Sequence, residues 1–117
     1  MSDNMSDKEL LELAAKAAGI ELLGYSCVDG RMMTTSYPTT PFTKRYWTPL
    51  TNDGDALRLA VKLGLDINAY STSQETSACL YREGIKFRCI EKKNDDPYAA
   101  ARRAIVRAAA EIGRNHE

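Results

Sequence analysis

A chain of 117 residues carrying 16 basic and 16 acidic side chains is one domain by length, and long enough to bury a core without staples. Its cancelling charges remove any whole-molecule argument for nucleic acid or an anionic membrane as partner. No apolar run approaches the ~20 residues of a membrane helix, the polar, acidic stretch Met1 to Asp7 is unlike a secretory signal, and three widely spaced cysteines do not make a disulfide framework; a cytoplasmic setting is expected.

Residues 1–5 should be disordered, residues 6–113 one domain, and residues 114–117 frayed. Ser6-Asp7-Lys8-Glu9 is a capping box, a serine with glutamate three residues on. The helix it starts should reach Ala18, bury Leu10, Leu13, Ala14 and Ala17, and stop at Gly19. Ile20 to Val28 reads as a strand. Asp29-Gly30 is a two-residue hairpin turn, which pairs Val28 with Arg31, Cys27 with Met32 and Tyr25 with Thr34.

Thr34 to Lys44 has no helical period, and Pro38 and Pro41 exclude a central strand. It is expected to be a long loop, and loops of that length in small domains are often functional. Pro49 holds Tyr46 to Thr48 extended. Thr51, Asn52 and Asp53 offer cap oxygens, so the central helix should begin between Asn52 and Gly54 and end at Leu63, capped by Gly64. Ala56, Leu57, Leu59, Ala60, Val61 and Leu63 give this helix a wide apolar face. Burial on two sides and a contact between two subunits account for that width equally well, which leaves a homodimer open.

Leu65, Ile67 and Ala69 then alternate with polar residues, as in a strand with one dry face. Thr76 to Arg82 and Ile85 to Glu91 flank a Glu83-Gly84 turn. The matching register sets Leu80 against Phe87 and Ala78 against Cys89, with Cys79, Tyr81, Lys86 and Arg88 on the other face. Asp96-Pro97 opens the last helix, which should run to about Ile112 with Tyr98, Ala101, Ile105, Ala108 or Ala109, and Ile112 buried. The expected fold class is α+β: a layered α/β sandwich of three helices and a mainly antiparallel sheet of five to six short strands.

Three blocks stand out: Leu10 to Gly19, Trp47 to Val61 and Asp96 to Val106. In these blocks the chain resembles the phage ABA sandwich domain family of small phage and prophage proteins, and more distantly the NinX-like phage proteins. The resemblance implies an α/β sandwich of phage or prophage origin. It implies no activity and transfers no functional residue.

Catalytic chemistry has little to stand on. His116 is the sole histidine and is next to last in the chain, so a serine or cysteine nucleophile has no positioned base. Capping explains Asp53, Asp55, Asp95 and Asp96 more simply than acid/base work. Cys27, Cys79 and Cys89 lack the spacing of a metal site, and there is no glycine-rich phosphate loop. No enzyme, metal or cofactor is expected.

The binding candidates are Tyr37, Phe42, Lys44, Arg45, Tyr46 and Trp47, where aromatics and basic groups combine as they do in contact hot spots. Arg103 and Arg107, with Arg102, Arg114, Lys92 and Lys93 nearby, could form a basic face, although a solvated helix face is the plainer account. Two functions follow. The first is a non-enzymatic phage accessory protein that binds a host or phage protein through the Thr34 to Trp47 stretch. The second is a binder that sequesters a small nucleotide signal of host defence, stacking it on Tyr46 and holding its phosphate with Lys44, Arg45, Arg103 and Arg107.

Overall fold

The computed structural model describes residues 6–20, 22–26, 31–34, 46–69, 74–82 and 85–115. In chain order they form α1 (Asp7–Ala18), β1 (Leu22–Ser26), β2 (Arg31–Thr34), β3 (Tyr46–Trp47), α2 (Asp53–Leu63), β4 (Asp66–Asn68), β5 (Glu75–Arg82), β6 (Ile85–Lys92) and α3 (Pro97–Arg114).

Each helix begins where a side-chain oxygen meets its free amides. Ser6 accepts from the Glu9 N–H at 3.2 Å, and the Glu9 carboxylate accepts from the Ser6 N–H at 3.2 Å, completing the capping box. Asn52 accepts from the Asp55 N–H at 2.9 Å. Asp96 accepts from the Tyr98 and Ala99 amides at 3.1 and 3.0 Å. Gly19 and Gly64 end α1 and α2 at φ of 71° and 69°, a conformation costly for any residue with a Cβ. α3 continues past Ile112 to Arg114, inside the segment expected to fray. The Asn115 side chain donates to the Glu111 carbonyl at 2.9 Å, and Arg114 pairs with Glu111 at 3.0 Å.

A single sheet of five to six strands in a layered sandwich is not seen. The described strands divide into two three-stranded antiparallel sheets, ordered β1-β2-β3 and β4-β5-β6. The β5–β6 register agrees with the sequence reading, with Leu80 opposite Phe87 and Ala78 opposite Cys89. The first hairpin does not. Ser26 pairs with Arg31 and Tyr25 with Met32, so Tyr25 lies opposite Met32 rather than Thr34. The slip is two residues. From Gly24 to Ser26 an even slip keeps each side chain on its face, so the alternation of apolar positions could not reveal it; an irregularity between Leu22 and Gly24 then shifts the register by one and sets Leu22 opposite Thr34. Thr34 belongs to β2, not to the following loop. The Asp29-Gly30 and Glu83-Gly84 turns lie outside the described residues.

The core also sits differently. α3 packs against α1, α2, β5 and β6, so the last helix, and not the central one, is buried on two sides. Ala100, Ala104, Ile105, Val106, Ala108, Ala109 and Ala110 are all buried. Its partner α1 is rotated slightly from the expected stripe, burying Leu10, Leu11, Ala14, Ala15 and Ala18 with Leu13 and Ala17 half-buried. α1 and α3 run in the same direction, with Asp7 beside Arg103 and Leu13 beside Gly113. β4 is an edge strand in which Ile67 is partly exposed and Ala69 just beyond it is exposed, so the expected dry face is not formed there.

Candidate protein-contact site

Of the sequence candidates, the structure describes Tyr46, Trp47, Arg103 and Arg107. Trp47 is fully buried in the core, in register with Met32 across the small sheet. Its role as a contact residue is therefore corrected: an indole with no exposed surface cannot meet a partner. Tyr46 opens β3 opposite Met33. Tyr37, Phe42, Lys44 and Arg45 lie outside the described residues.

The basic face of α3 is consumed by internal ties. Arg103 pairs with Asp7 at 3.0 Å, holding α1. Arg107 pairs with Glu91 and donates at 3.1 Å to the carbonyl of Ile90, holding β6. Arg102, mostly buried, donates to the Leu50 carbonyl at 2.9 Å and to Asp53 at 2.6 Å, fastening the start of α2. Helical spacing displays arginines along a face, but it says nothing of the carboxylates that tertiary structure brings to them.

Cys79 does stand on the sheet face away from Cys89, as the register requires, yet it is fully buried. Arg88 donates to its sulfur at 3.3 Å and Asn68 at 3.8 Å, with the Ser77 hydroxyl at 4.0 Å. Cys89 lies under α3, where burial pushes its thiol up to about 11 against the opposing pull of Arg107. Both cysteines are free. Among the described residues no group of three metal-ligating side chains gathers, and no helix is long and apolar enough to cross a membrane.

What the molecule does present is an apolar face where α2 meets the start of α3. Leu57 is 58% exposed, Val61 72% and Tyr98 69%. Tyr98 corrects the sequence reading, which placed it in the buried stripe of the last helix; the exposure of Leu57 and Val61 removes burial on two sides, one of the two accounts given for the wide apolar face of α2. α2 turns Asp55, Ala56, Leu59, Ala60 and Leu63 inward and leaves Leu57 and Val61 outside. Asp55 fixes that rotation: its carboxylate accepts from the Thr48 N–H at 2.9 Å, so the inward side of the helix includes an acid while the outward side holds leucine and valine. Between Leu57 and Tyr98 lies an open cleft of about 160 Å³, floored by Ala56, Ala101 and Ile105 and closed at one end by the Asp53–Arg102 pair. It is smaller than the ~300 Å³ at which small-molecule pockets begin. A second open cleft, of about 310 Å³ by Lys92, Lys93 and Asp96, is lined by charges of both signs. Large apolar side chains grouped on a surface are the usual mark of a protein contact.

No protein-family model matches the chain, and neither a curated protein nor a solved structure matches it.

Proposed function

We propose that this chain is a non-enzymatic accessory protein of a phage or prophage, working in the cytoplasm of a bacterial host by binding another protein. The phage assignment draws on the three sequence blocks alone. Protein binding draws on one observation above the rest, the exposed Leu57, Val61 and Tyr98 at the junction of α2 and α3. Burying three such side chains offers several kcal/mol, at roughly 1.5–3 kcal/mol for each fully buried one. A nucleotide-sequestering role draws less support. Arg103 and Arg107, which would hold the phosphate, already have carboxylate partners in Asp7 and Glu91.

The test is photo-crosslinking in cells, with a benzophenone amino acid in place of Leu57 or Tyr98 and, as control, of the exposed Glu12 on α1. Covalent protein adducts should form from the first two positions and not from the third. Absence of adducts from both would remove this face as a contact surface.

A further inference from the structure

We infer that the occupant of the α2–α3 face is a second copy of this chain, docked with the two α2 helices parallel about a two-fold axis. The inference rests on the reading of that face as a contact surface and supplies its partner.

The outward side of α2 is a narrow seam. Gly54, Leu57 and Val61 recur at spacings of three and four along it, Leu57 and Val61 open and Gly54 beneath the Arg58 guanidinium. A β-branched residue at one seam position and leucine at the other is the combination that favours parallel two-stranded pairing. Asp53 flanks the seam on one side and Arg58 on the other, five residues apart. In a parallel pair, the acid flanking the seam of one helix faces the residue five positions later in its neighbour. Asp53 of one copy then meets Arg58 of the other, twice by symmetry. An antiparallel pair would set like flanks together, Arg58 and Lys62 against Arg58 and Lys62, which like charges disfavour.

Both side chains are mostly exposed, and each has a partner within its own chain: Arg102 for Asp53 at 2.6 Å and Asp55 for Arg58 at 3.4 Å. The cross-pairs would join these into one network. Tyr98 widens the seam near the first turn of α2.

The size of the contact sets its strength. Two apolar side chains on an 11-residue helix, with Tyr98 of α3 next to Leu57, give a patch of a few hundred Å², against roughly 800 Å² for each partner in a standard interface. The dimer is therefore weak and reversible, and appears as concentration rises.

Sedimentation velocity of the full chain from about 10 μM to about 1 mM brackets such an equilibrium. The mass should rise from one chain toward two. Leu57→Glu should weaken association at least about tenfold, or about 1.4 kcal/mol, with the far-ultraviolet circular dichroism unchanged because Leu57 is exposed. Leu57→Cys should form a disulfide-linked dimer under mild oxidation, since a parallel two-fold sets position 57 against itself. Three results would overturn the inference: a single-chain mass throughout, a dimer indifferent to Leu57→Glu, or a dimer that Leu57→Cys does not link. A monomer that still forms photo-adducts with a different protein would overturn it and leave the contact-surface reading standing. A monomer that forms no adducts would overturn both.

Discussion

Along α1, the last helix presents alanines and a glycine. The backbones approach so closely that a methyl group at Gly113 would lie 2.0 Å from the Leu13 carbonyl oxygen. Along α2, the same helix meets a partner that leaves Leu57 and Val61 outside, and its own Tyr98 stands exposed across the cleft from Leu57. The first contact is closed: small side chains let two helices touch, and the space between them admits nothing more. The second is open, with large apolar groups in excess of what the chain itself covers. Small residues therefore mark the finished interface of this molecule, and large ones the unfinished interface.

The largest effect should come from filling the closed contact. Alanine exceeds glycine in helix propensity by about 1 kcal/mol, so on propensity alone Gly113→Ala would stabilise. The Cβ, however, meets backbone oxygen and not a side chain that could rotate away. Overpacking of this kind costs 1–3 kcal/mol and occasionally more. With rigid backbone on the far side the cost lies beyond the usual range, at about 4 kcal/mol, and after the propensity gain the net loss should be about 3 kcal/mol. Urea denaturation measures it. A midpoint equal to or above that of the parent chain would show that α1 is not seated against α3 as described.

The next effect, about 2 kcal/mol by linkage, concerns Cys89, buried on the sheet face beneath α3. Its thiol is pushed up from 9.0 to about 11, first by burial and then by Glu111 and Glu91, with Arg107 opposing. The unfolded chain loses this proton near pH 9, while the folded chain holds it to about pH 11. Stability is therefore fully present below pH 9 and falls as pH rises through 11, at up to about 1.4 kcal/mol per unit. Tyrosines and lysines titrate in the same range, so the informative quantity is the difference in alkaline slope between the parent chain and Cys89→Ala. Equal slopes would place Cys89 in contact with water.

Much of the secondary structure was legible because its signals are local. The serine, asparagine and aspartate caps, the two capping glycines and the β5–β6 register each depend on residues within a few positions of one another. What was not legible depends on distance or on parity. An even slip in the first hairpin leaves the face pattern intact, so Tyr25 moved from Thr34 to Met32 unseen. The division of the strands into two sheets is a choice among tertiary partners that strand patterns share. The arginines of α3 looked like a basic surface because Asp7, Asp53 and Glu91 are far from them in sequence. Of the candidate site, Trp47 is buried and Arg103 and Arg107 hold carboxylates of the same chain. Tyr98 is expected in the buried stripe of α3 and is exposed, while for Leu57 and Val61 the apolar pattern alone does not choose between burial and a surface position.

A smaller effect tests why α2 is rotated as it is. Asp55→Ala removes the acceptor that faces the Thr48 N–H and leaves that amide part-buried without it. The expected cost is about 1.5 kcal/mol, in the range for an unsatisfied buried donor. Asp55→Asn retains a side-chain oxygen and should lose less. If both variants unfold at the same urea concentration as the parent, the carboxylate does not set the helix, and the outward placement of Leu57 and Val61 must have another cause.

The smallest expected effect is the most pointed for the open contact. Leu57→Ser and Val61→Ser remove apolar groups that the folded chain leaves mostly in water, so unfolding of dilute protein should change by no more than about 0.5 kcal/mol. The same substitutions in a helix turned inward, as the wide apolar face of the sequence suggested, would cost about 2–5 kcal/mol by analogy with core truncations. Urea curves at low concentration thus separate the two rotations of α2 by a margin well beyond measurement error. Repeating them at high concentration adds the second half of the comparison. If a second copy covers this face, the parent chain gains stability with concentration by mass action, and the serine variants do not. A large loss in dilute solution would mean that Leu57 and Val61 belong to the core of a single chain, which would remove the open contact altogether.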